Sequence, residues 1–181
     1  MIGIDEVGRG CIAGDVYACA LFFKEGSTFD FKIADSKKLS PSQREKIYNQ
    51  TLNQQEIKFA IGTASIKEIE DLNILNATML AMQRAFQNLG IFNAKVFIDG
   101  NKKPEGLQHA ECVIGGDSLI PQISLASIIA KVTRDKVMEQ LALSLPLYGF
   151  EKHKGYGTKA HFEAIKKFGL SEFHRKDWCK M

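Results

Sequence analysis

The chain has 181 residues, of which 45% are hydrophobic and 25% are charged, and its formal net charge at pH 7 is +3. This composition is typical of a soluble globular protein, and residues 1–181 have the length of a single domain. No stretch approaches the ~18 uninterrupted apolar residues of a membrane span, so we expect no membrane contact.

The N-terminus and the cysteines indicate a cytoplasmic protein. Asp5 and Glu6 lie where a secretory signal peptide would carry a basic region followed by an apolar one. The cysteines form neither a CxxC pair nor a Cys/His ligand spacing, so we expect reduced, partly buried thiols and neither a disulfide nor a zinc site. The four cysteines are Cys11, Cys19, Cys112 and Cys179.

The first part of the chain predicts two neighbouring strands and a short helix. The apolar runs at residues 1–7 and 15–23 are typical of strands, and the glycine-rich stretch between them predicts a turn. Ser40 as N-cap, Pro41 at the first helical position and Gln43 two residues later predict a helix that starts with a capping box.

The middle of the chain predicts a third strand, a long helix and two more strands. Residues 56–64 alternate between apolar and polar, as a half-buried strand does. Apolar residues recur every three or four positions over 66–89, and Gly90 predicts the end of this helix. The segments 94–100 and 110–117 are typical of short buried strands, and both contain glycine and aspartate at the end.

The last part of the chain predicts helices and a basic C-terminal segment. Residues 118–143 predict a long helix with Pro121 near its start, and residues 158–168 predict a short one. Basic residues are frequent over 151–181, which by itself is typical of a solvated helix face. The elements together predict an α/β domain with a mixed sheet, on which a helical segment, 146–181, packs.

Three of the predicted strands end in acids. Asp5 and Glu6 end the first strand, Asp99 the fourth and Asp117 the fifth. One such carboxylate is most often a turn or cap residue, and Asp117 precedes a helix as an N-cap does. If the sheet brings the strand ends together, four like charges need a counter-charge. All-oxygen ligands favour Mg²⁺ or Mn²⁺, and two such ions are the usual clamp for displacement at phosphorus.

Adjacent residues of a strand point to opposite faces, so Asp5 and Glu6 cannot both face one site from an ideal strand. Gly8 predicts that the strand breaks at Glu6, which then turns toward the same site. The alternative is a surface glutamate.

The Gly8-Arg9-Gly10 turn places backbone donors, backbone acceptors and a cation beside these acids. Such a turn suits a sugar–phosphate backbone. A ribose 2′-hydroxyl is an attractive target, because this group both donates and accepts and distinguishes RNA from DNA.

Seven ordered segments resemble bacterial ribonuclease HII, the type 2 ribonuclease H, over residues 2–175. The segments are DEVGRG, DSKKLS, DLNILNATMLAM, FIDG, GGDS, LASIIAKVTRD and HKGYGTKAHF with a later FHR. The resemblance implies a ribonuclease H-like fold, a mixed five-stranded sheet flanked by helices. It also implies cleavage of the RNA strand of RNA/DNA hybrids and at ribonucleotides embedded in duplex DNA, leaving 3′-hydroxyl and 5′-phosphate ends. Ribonuclease HIII is less similar, since its corresponding loop departs from Gly-Arg-Gly.

The resemblance also assigns roles to residues. The predicted metal-site acids are Asp5, Glu6, Asp99 and Asp117. The residues predicted to contact the ribonucleotide and the next sugar are Gly8, Arg9 and Gly10, at the 2′-hydroxyl, and Tyr156, by stacking. Weaker candidates for contacts to the nucleic-acid backbone are Lys37, Lys38, Lys131 and Arg134, for which a solvated face or a pair with Asp135 is an equal alternative. His174 and Arg175 are further candidates for such contacts.

Some residues depart from the family pattern or have other expected roles. Cys11 and Asp15 stand where the family usually has prolines, and Asp15 adds negative charge near the site. The ending HRKDWCKM is short, which is expected to weaken duplex binding. The histidines of the tail fit no zinc spacing and are expected at the surface or on helix faces. The remaining expectations are structural roles for His109 and Cys112 and core positions for Met79 and Met82.

These residues predict hydrolysis with two divalent ions, Mn²⁺ or Mg²⁺, in which Asp5 bridges the ions, one ion activates water and both stabilise the leaving oxygen. A monomer is expected, and contact of the tail with a sliding clamp is left open. One alternative is a two-metal nuclease that ignores the sugar. Another is a non-catalytic RNA/DNA binding module whose acids are caps, although a binder of polyanions gains nothing from four acids.

Overall fold

A computed structural model describes residues 1–33 and 39–180 of the chain. Lys37 and Lys38, two of the predicted phosphate contacts, lie outside the described residues. No helix in the described ranges is both long and apolar enough to cross a membrane.

Five strands form one mixed sheet, as predicted. They are β1 (Ile2–Val7), β2 (Val16–Phe22), β3 (Lys58–Ala64), β4 (Val96–Asp99) and β5 (Glu111–Val113), in the spatial order β3-β2-β1-β4-β5. The β1–β2 and β2–β3 pairs are antiparallel, whereas β1–β4 and β4–β5 are parallel. The strand that carries the first two acids is therefore central, and its parallel neighbour β4 carries Asp99.

The described residues contain six α-helices and two short 3-10 helices. The α-helices are α1 (Pro41–Leu52), α2 (Ile66–Leu89), α3 (Gly116–Leu119), α4 (Pro121–Ser144), α5 (Phe150–His153) and α6 (Lys159–Phe168). The 3-10 helices are Glu105–Leu107 and Lys176–Trp178. The α/β fold with flanking helices and a short C-terminal helical segment is confirmed.

The predicted helix ends are confirmed where the signal is local. Ser40 and Gln43 form the capping box of α1, because each side chain accepts a hydrogen bond from the other residue's amide. Gly90 ends α2 in the left-handed conformation, with a φ of 69°, which a residue without Cβ adopts readily.

Two helices differ from the prediction. Asn73 interrupts α2 with φ 69° and ψ 164°, and its Oδ1 accepts from the amides of Leu75 and Asn76, so it caps the second half of the helix. The predicted helix over 118–143 is two helices, α3 and α4, separated at the extended residue Ile120. Pro121 opens α4, at a position where its missing N–H leaves no hydrogen bond unmade.

The two long helices cover opposite faces of the sheet. The core cluster on the α2 side includes Ile4 and Met82, with Met79 partly buried against it, and the cluster on the α4 side includes Leu21 and Ile128. The predicted core positions of the two methionines are thus confirmed. Both helices approach at glycines. A Cβ on Gly3 would overlap the backbone of α4, and one on Gly62 would overlap the backbone of α2.

The loop between β1 and β2, residues 8–15, joins the sheet to the C-terminal segment. We call it the glycine-rich loop. Its residues Ile12 and Ala13 belong to two small core clusters formed with the end of α4 and with residues of α5, α6 and the tail. The backbone of Ala13 also bridges to His174, and that of Cys11 to Tyr156. The C-terminal segment therefore packs on the loop that follows the first two acids.

Two expectations about single residues are wrong. His161 and His174 are buried rather than on the surface, with 0% and 1% of their surface exposed. Cys112 is exposed and so is not one of the expected partly buried thiols, whereas the exposed His109 lies near Phe86, with the ring centres 6.0 Å apart. A histidine without charge can enter a core when its ring nitrogens are hydrogen-bonded, which residue spacing does not reveal.

Candidate active site

Three of the four predicted acids surround one cavity at the carboxyl edge of the sheet. The parallel register pairs Ile4 with Ile98, so Asp5 and Asp99 follow at neighbouring strand ends. The cavity has a volume of about 340 Å³. Its lining comprises Asp5, Glu6, Val7, Gly8, Arg9, Gly10, Arg44, Asp99, Ser127, Lys131 and Tyr156. We call the three carboxylates Asp5, Glu6 and Asp99 the acidic edge.

Asp5 is the most enclosed carboxylate of the acidic edge, with 5% of its surface exposed. Burial raises the pKa of Asp5 well above its usual value, and the carboxylates of Glu6 and Asp99 raise it further. Hydrogen bonds from the Glu6 amide, at 2.7 Å, and from Ser127 oppose this shift. The net direction shows that the local donors do not offset the cost of burying this carboxylate near two others.

Glu6 reaches the cavity without a break in the strand. Glu6 pairs with Ala18 and Val7 with Tyr17, so β1 continues past the point where we expected it to end, and that prediction is wrong. The cavity lies at the edge of the sheet, where side chains from both faces of β1 reach it. Burial raises the pKa of Glu6, whereas the nearby Arg9, at 3.4 Å from its carboxylate, lowers it.

Asp99 and Asp117 differ in position. Asp99 Oδ1 accepts a hydrogen bond of 2.7 Å from the Gly116 amide, which ties the end of β4 to the start of α3. Asp117 is 3% exposed and lies within the first turn of α3, whose N-cap is Gly115, so it is not the N-cap. Asp117 is not among the residues that line the cavity. The structure thus brings Asp5, Glu6 and Asp99 together, and Asp117 is connected to them through the Gly116 amide.

The carboxylates are not already arranged as metal ligands. Among residues 1–33 and 39–180, no group of three or more His, Cys, Asp or Glu side chains is placed to hold one metal ion. Because like charges repel, we expect carboxylates of the acidic edge to converge only when a cation lies between them.

The first half of the glycine-rich loop lines the same cavity as the acids. Gly8 has a φ of 97°, and a Cβ there would collide with the Arg134 side chain, so glycine is required. Gly10 is exposed, and a Cβ there would meet nothing within 4 Å. Arg9 is exposed, with half of its side-chain surface accessible beside Glu6. The loop backbone at Gly10 is therefore open to another molecule.

Tyr156 lies beside this loop with 38% of its surface exposed. The Lys131 ammonium lies 5.3 Å from the centre of its ring and 2.8 Å from Asp135. The Tyr156 hydroxyl and the thiol of the buried Cys11 share a hydrogen bond. Cys11, which departs from the family pattern, is thus a hydrogen-bond partner of the tyrosine.

Three predicted contacts to the nucleic-acid backbone are wrong. Arg134, His174 and Arg175 are 0%, 1% and 0% exposed, so no phosphate can reach them. The Arg134 guanidinium donates to the carbonyl oxygens of residues 13, 15 and 154. The spacing of basic residues indicated charge in this region, but it does not distinguish a solvent-facing guanidinium from one that holds backbone carbonyls.

Asp15 also differs from expectation. Its Oδ1 accepts from the Ile66 amide at 3.1 Å, so it supports the N-terminus of α2, and it does not line the cavity. Conversely, Arg44 and Ser127 line the cavity although the sequence analysis did not single them out. Ser127 precedes Lys131 by one helical turn on α4, and this spacing was the signal that could have identified it.

Solved structures share this fold. Ribonuclease H2 from Pyrococcus horikoshii OT3 matches with a TM-score of 0.74 at 25% sequence identity, over 98% of this chain and 92% of that one. Bst-RNase HIII in complex with Mn²⁺ matches with a TM-score of 0.69 at 18% identity, over 93% of this chain and 62% of that one, a similarity that shows the fold alone. The protein is thus a hydrolase of the ribonuclease H class.

Sequence similarity is more specific than the fold. The family described as Ribonuclease HII matches residues 2–181. The ribonuclease HII of Neisseria meningitidis serogroup B is 49% identical over 179 residues, which are 98% of this chain and 91% of that protein. The chain therefore belongs to the ribonuclease HII family, and the resemblance found in the sequence is confirmed.

Proposed function

We propose that this protein hydrolyses the RNA strand of RNA/DNA hybrids and cuts at ribonucleotides embedded in duplex DNA, leaving 3′-hydroxyl and 5′-phosphate ends. The observation that carries the proposal is the cavity shared by the acidic edge and the Gly8-Arg9-Gly10 turn. The acids suit cations that bind phosphate, and the neighbouring backbone groups of the turn suit a sugar. Membership of the ribonuclease HII family supports the same reaction.

Divalent cations fit the donor set of the acidic edge. Its ligands are carboxylate oxygens, which favour Mg²⁺ and Mn²⁺ over softer metals. Burial is the main cause of the raised pKa values of Asp5 and Glu6, so a bound cation would stabilise their ionised forms. We propose that Asp5, Glu6, Asp99 and Asp117 would hold two such ions. When bound, the ions supply a hydroxide nucleophile and stabilise charge on the leaving 3′-oxygen.

The residues of the cavity place the substrate for this reaction. The backbone at Gly8, Arg9 and Gly10 presents both donors and acceptors, and a 2′-hydroxyl needs both. Tyr156 stacks on the sugar that follows the ribonucleotide, because its ring is exposed beside the turn. Lys131 lines the same cavity and is positioned to meet a phosphate. Contacts of Lys37 and Lys38 with phosphates remain part of the proposal.

One cleavage experiment tests the proposed function. Three duplexes of one sequence are compared, one all DNA, one with a single ribonucleotide and one an RNA/DNA hybrid, each with Mg²⁺, Mn²⁺ or chelator. We expect no cut in the all-DNA duplex, a cut at one phosphodiester next to the ribonucleotide, and no cleavage with chelator. Equal cutting of all three duplexes would instead identify a nuclease that ignores the sugar. Duplex binding without cleavage in Mn²⁺ would identify a binding module.

A monomeric state, a cytoplasmic location and a contact of the tail with a sliding clamp stay predictions. Size-exclusion chromatography with light scattering tests the first of these directly.

A further inference from the structure

Arg175 is a buried cation whose donors all go to the glycine-rich loop. Its Nε and Nη2 donate to the Gly14 carbonyl at 3.0 and 2.7 Å, Nη2 also donates to Gly8 at 2.8 Å, and Nη1 donates to Arg9 at 3.1 Å. The side chain is 0% exposed. One rigid fork of donors therefore fixes both ends of the loop and two of the three residues of the Gly-Arg-Gly turn.

The neighbouring His174 connects Arg175 to His161 through one tautomer. The Ser171 amide donates to His174 Nδ1 at 2.9 Å, so the proton of the neutral ring lies on Nε2. His174 Nε2 lies 3.0 Å from His161 Nε2 and donates to it. His161 then carries its proton on Nδ1, which donates to the Tyr156 carbonyl at 2.9 Å. This direction of hydrogen bonds requires both rings to be neutral.

The surroundings of the histidine pair keep both rings neutral. His153 stacks on His161 with the ring centres 4.0 Å apart, and Phe150 packs edge-on against His161. Burial lowers the pKa of His161 to about 4 and also lowers the pKa of His174. Protonation of His161 would place two N–H groups against each other at the 3.0 Å contact, and protonation of His174 would place its Nδ1–H against the Ser171 amide.

These contacts connect the two parts of the site that face the substrate. Arg175 holds the carbonyls of Gly8 and Arg9, His174 is adjacent to it in the chain, and His161 holds the carbonyl of Tyr156. Neither the histidines nor Arg175 line the cavity. They act on the substrate only through the residues that they hold.

We propose that His161, His174 and Arg175 form a positioning unit that fixes Tyr156 relative to the Gly-Arg-Gly turn and thereby sets the preference for a ribonucleotide over a deoxyribonucleotide. This inference rests on the proposed function. A stacking ring and a hydroxyl-sensing turn recognise one ribonucleotide together only if their separation is fixed, since hydrogen bonds weaken steeply with misplacement.

A purely structural role does not explain why the buried side chain of Arg175 is charged. Within the described residues no ion pair includes Arg175, and its donors are satisfied by carbonyl oxygens instead. Burying an unpaired guanidinium is expensive compared with an apolar side chain of similar volume. The arrangement gives geometric control of the loop, which an apolar side chain does not provide.

The test uses two variants and a matched control. Arg175→Lys keeps the charge and loses the fork of donors, and His161→Phe keeps the ring that stacks on His153 and loses both hydrogen bonds. Tyr148→Phe is the control, because it removes one hydrogen bond, to the Gly169 carbonyl, in the same cluster without touching either substrate-facing part. Thermal melting of each protein measures the structural effect separately.

The readout is the ratio of two constants, the Ki of an all-DNA duplex as competitor and the KM of the same duplex with one ribonucleotide. We expect Arg175→Lys and His161→Phe to lower this ratio at least about fivefold, as the loss of one or two hydrogen bonds does. The Ki of the all-DNA duplex should change less than about twofold, since the exposed basic residues are intact. Tyr148→Phe should lower the melting temperature and leave the ratio unchanged.

Two results would overturn the inference. The first is an unchanged ratio of Ki to KM in those of the variants Arg175→Lys and His161→Phe that fold. The second is a fall of this ratio in Tyr148→Phe that equals the fall in the other two variants. Failure of the proposed function is distinct, because the wild-type protein would then bind and cut both duplexes equally, and the positioning unit would have no preference to set.

Discussion

The acidic edge and the first half of the glycine-rich loop line one cavity and differ in electrostatic character. At the acidic edge, Asp5 is buried near two other carboxylates, and its pKa is raised well above the usual value. Packed against the loop, the guanidinium groups of the buried Arg134, on α4, and Arg175, in the C-terminal segment, give every described donor contact to backbone carbonyl oxygens. The acidic edge holds carboxylates close together, with Arg9 near Glu6, whereas the loop carbonyls accept hydrogen bonds from buried guanidinium groups.

This difference predicts which part of the cavity is preorganised in the absence of ligands. Unbalanced carboxylates lower the stability of the folded protein and at the same time create affinity for cations. Paired backbone groups add stability and hold a fixed shape. Substitutions at the acidic edge should therefore reduce activity with little loss of stability, whereas substitutions beneath the loop should reduce stability.

The largest expected effect comes from the acidic edge. Asp99→Asn should reduce cleavage of a ribonucleotide-containing duplex at least about a thousandfold, because bound ions lower the activation barrier by several kcal/mol. The free energy of unfolding should stay equal or rise, since one of the carboxylates that repel Asp5 is gone. Single-turnover cleavage and urea denaturation measure the two quantities. Asp71→Asn, at an exposed position of α2, is the control, and equal losses in both variants would contradict the role of Asp99.

The next largest effect comes from beneath the loop. Arg134→Met should lower the free energy of unfolding by about 3 kcal/mol or more, because three carbonyl oxygens lose a donor in a buried place. Arg84→Met is the comparison, since Arg84 is 39% exposed and pairs with Glu68 at 2.7 Å. A surface pair of this kind contributes up to about 1 kcal/mol. Urea denaturation measures the free energy of unfolding of both variants. Similar losses of stability would show that burial is not what distinguishes the two arginines.

A smaller effect on cleavage is expected at Tyr156, which also lines the cavity. Tyr156→Ala should reduce kcat/KM for a ribonucleotide-containing duplex about tenfold, because the stacking surface is lost. Tyr156→Phe keeps the ring and loses the hydrogen bond with Cys11, so its kcat/KM should stay within about threefold of wild type. Steady-state kinetics of both variants is the measurement. If the two substitutions were equally harmful, the hydroxyl and not the ring would be the important group.

The smallest effect is a pH dependence of stability from the histidine pair. Burial lowers the pKa of His161 to about 4, against the opposing effect of its hydrogen bond to the Tyr156 carbonyl. The unfolded chain takes up a proton near pH 6.5 while the folded one does not, so stability decreases as the pH falls from about 6.5 to about 4. Denaturation at pH 7 and pH 5 should show a loss on the order of 1 kcal/mol that His161→Phe removes. The same loss in the variant would assign the pH dependence to other groups.

Local signals in the sequence predicted much of the fold. The capping box at Ser40 and the glycine stop at Gly90 depend on neighbours within four residues, so they were readable without a structure. The kink at Asn73 was not, because the apolar period continues through it. The break before Pro121 was only suggested, since proline is compatible with either a kink or a first turn.

The candidate site was predicted in part for a similar reason. Acids at strand ends follow from the sequence, and parallel pairing of β1 with β4 then brings Asp5 beside Asp99. The burial of Arg134 and the exposure of Arg9 do not follow from residue type, because a guanidinium is stable in either place once its donors are satisfied.

The sequence by itself determined the family, the mixed sheet and the identity of the acids, because strand periodicity, helix caps and ordered motifs act over a few residues. Only the tertiary structure decided which basic side chains face the cavity, that Asp117 does not line it, and that two histidines and an arginine support the substrate-facing loop. These outcomes depend on contacts between residues as far apart as Gly8 and Arg175, and burial and hydrogen-bond pairing across such distances are set by packing.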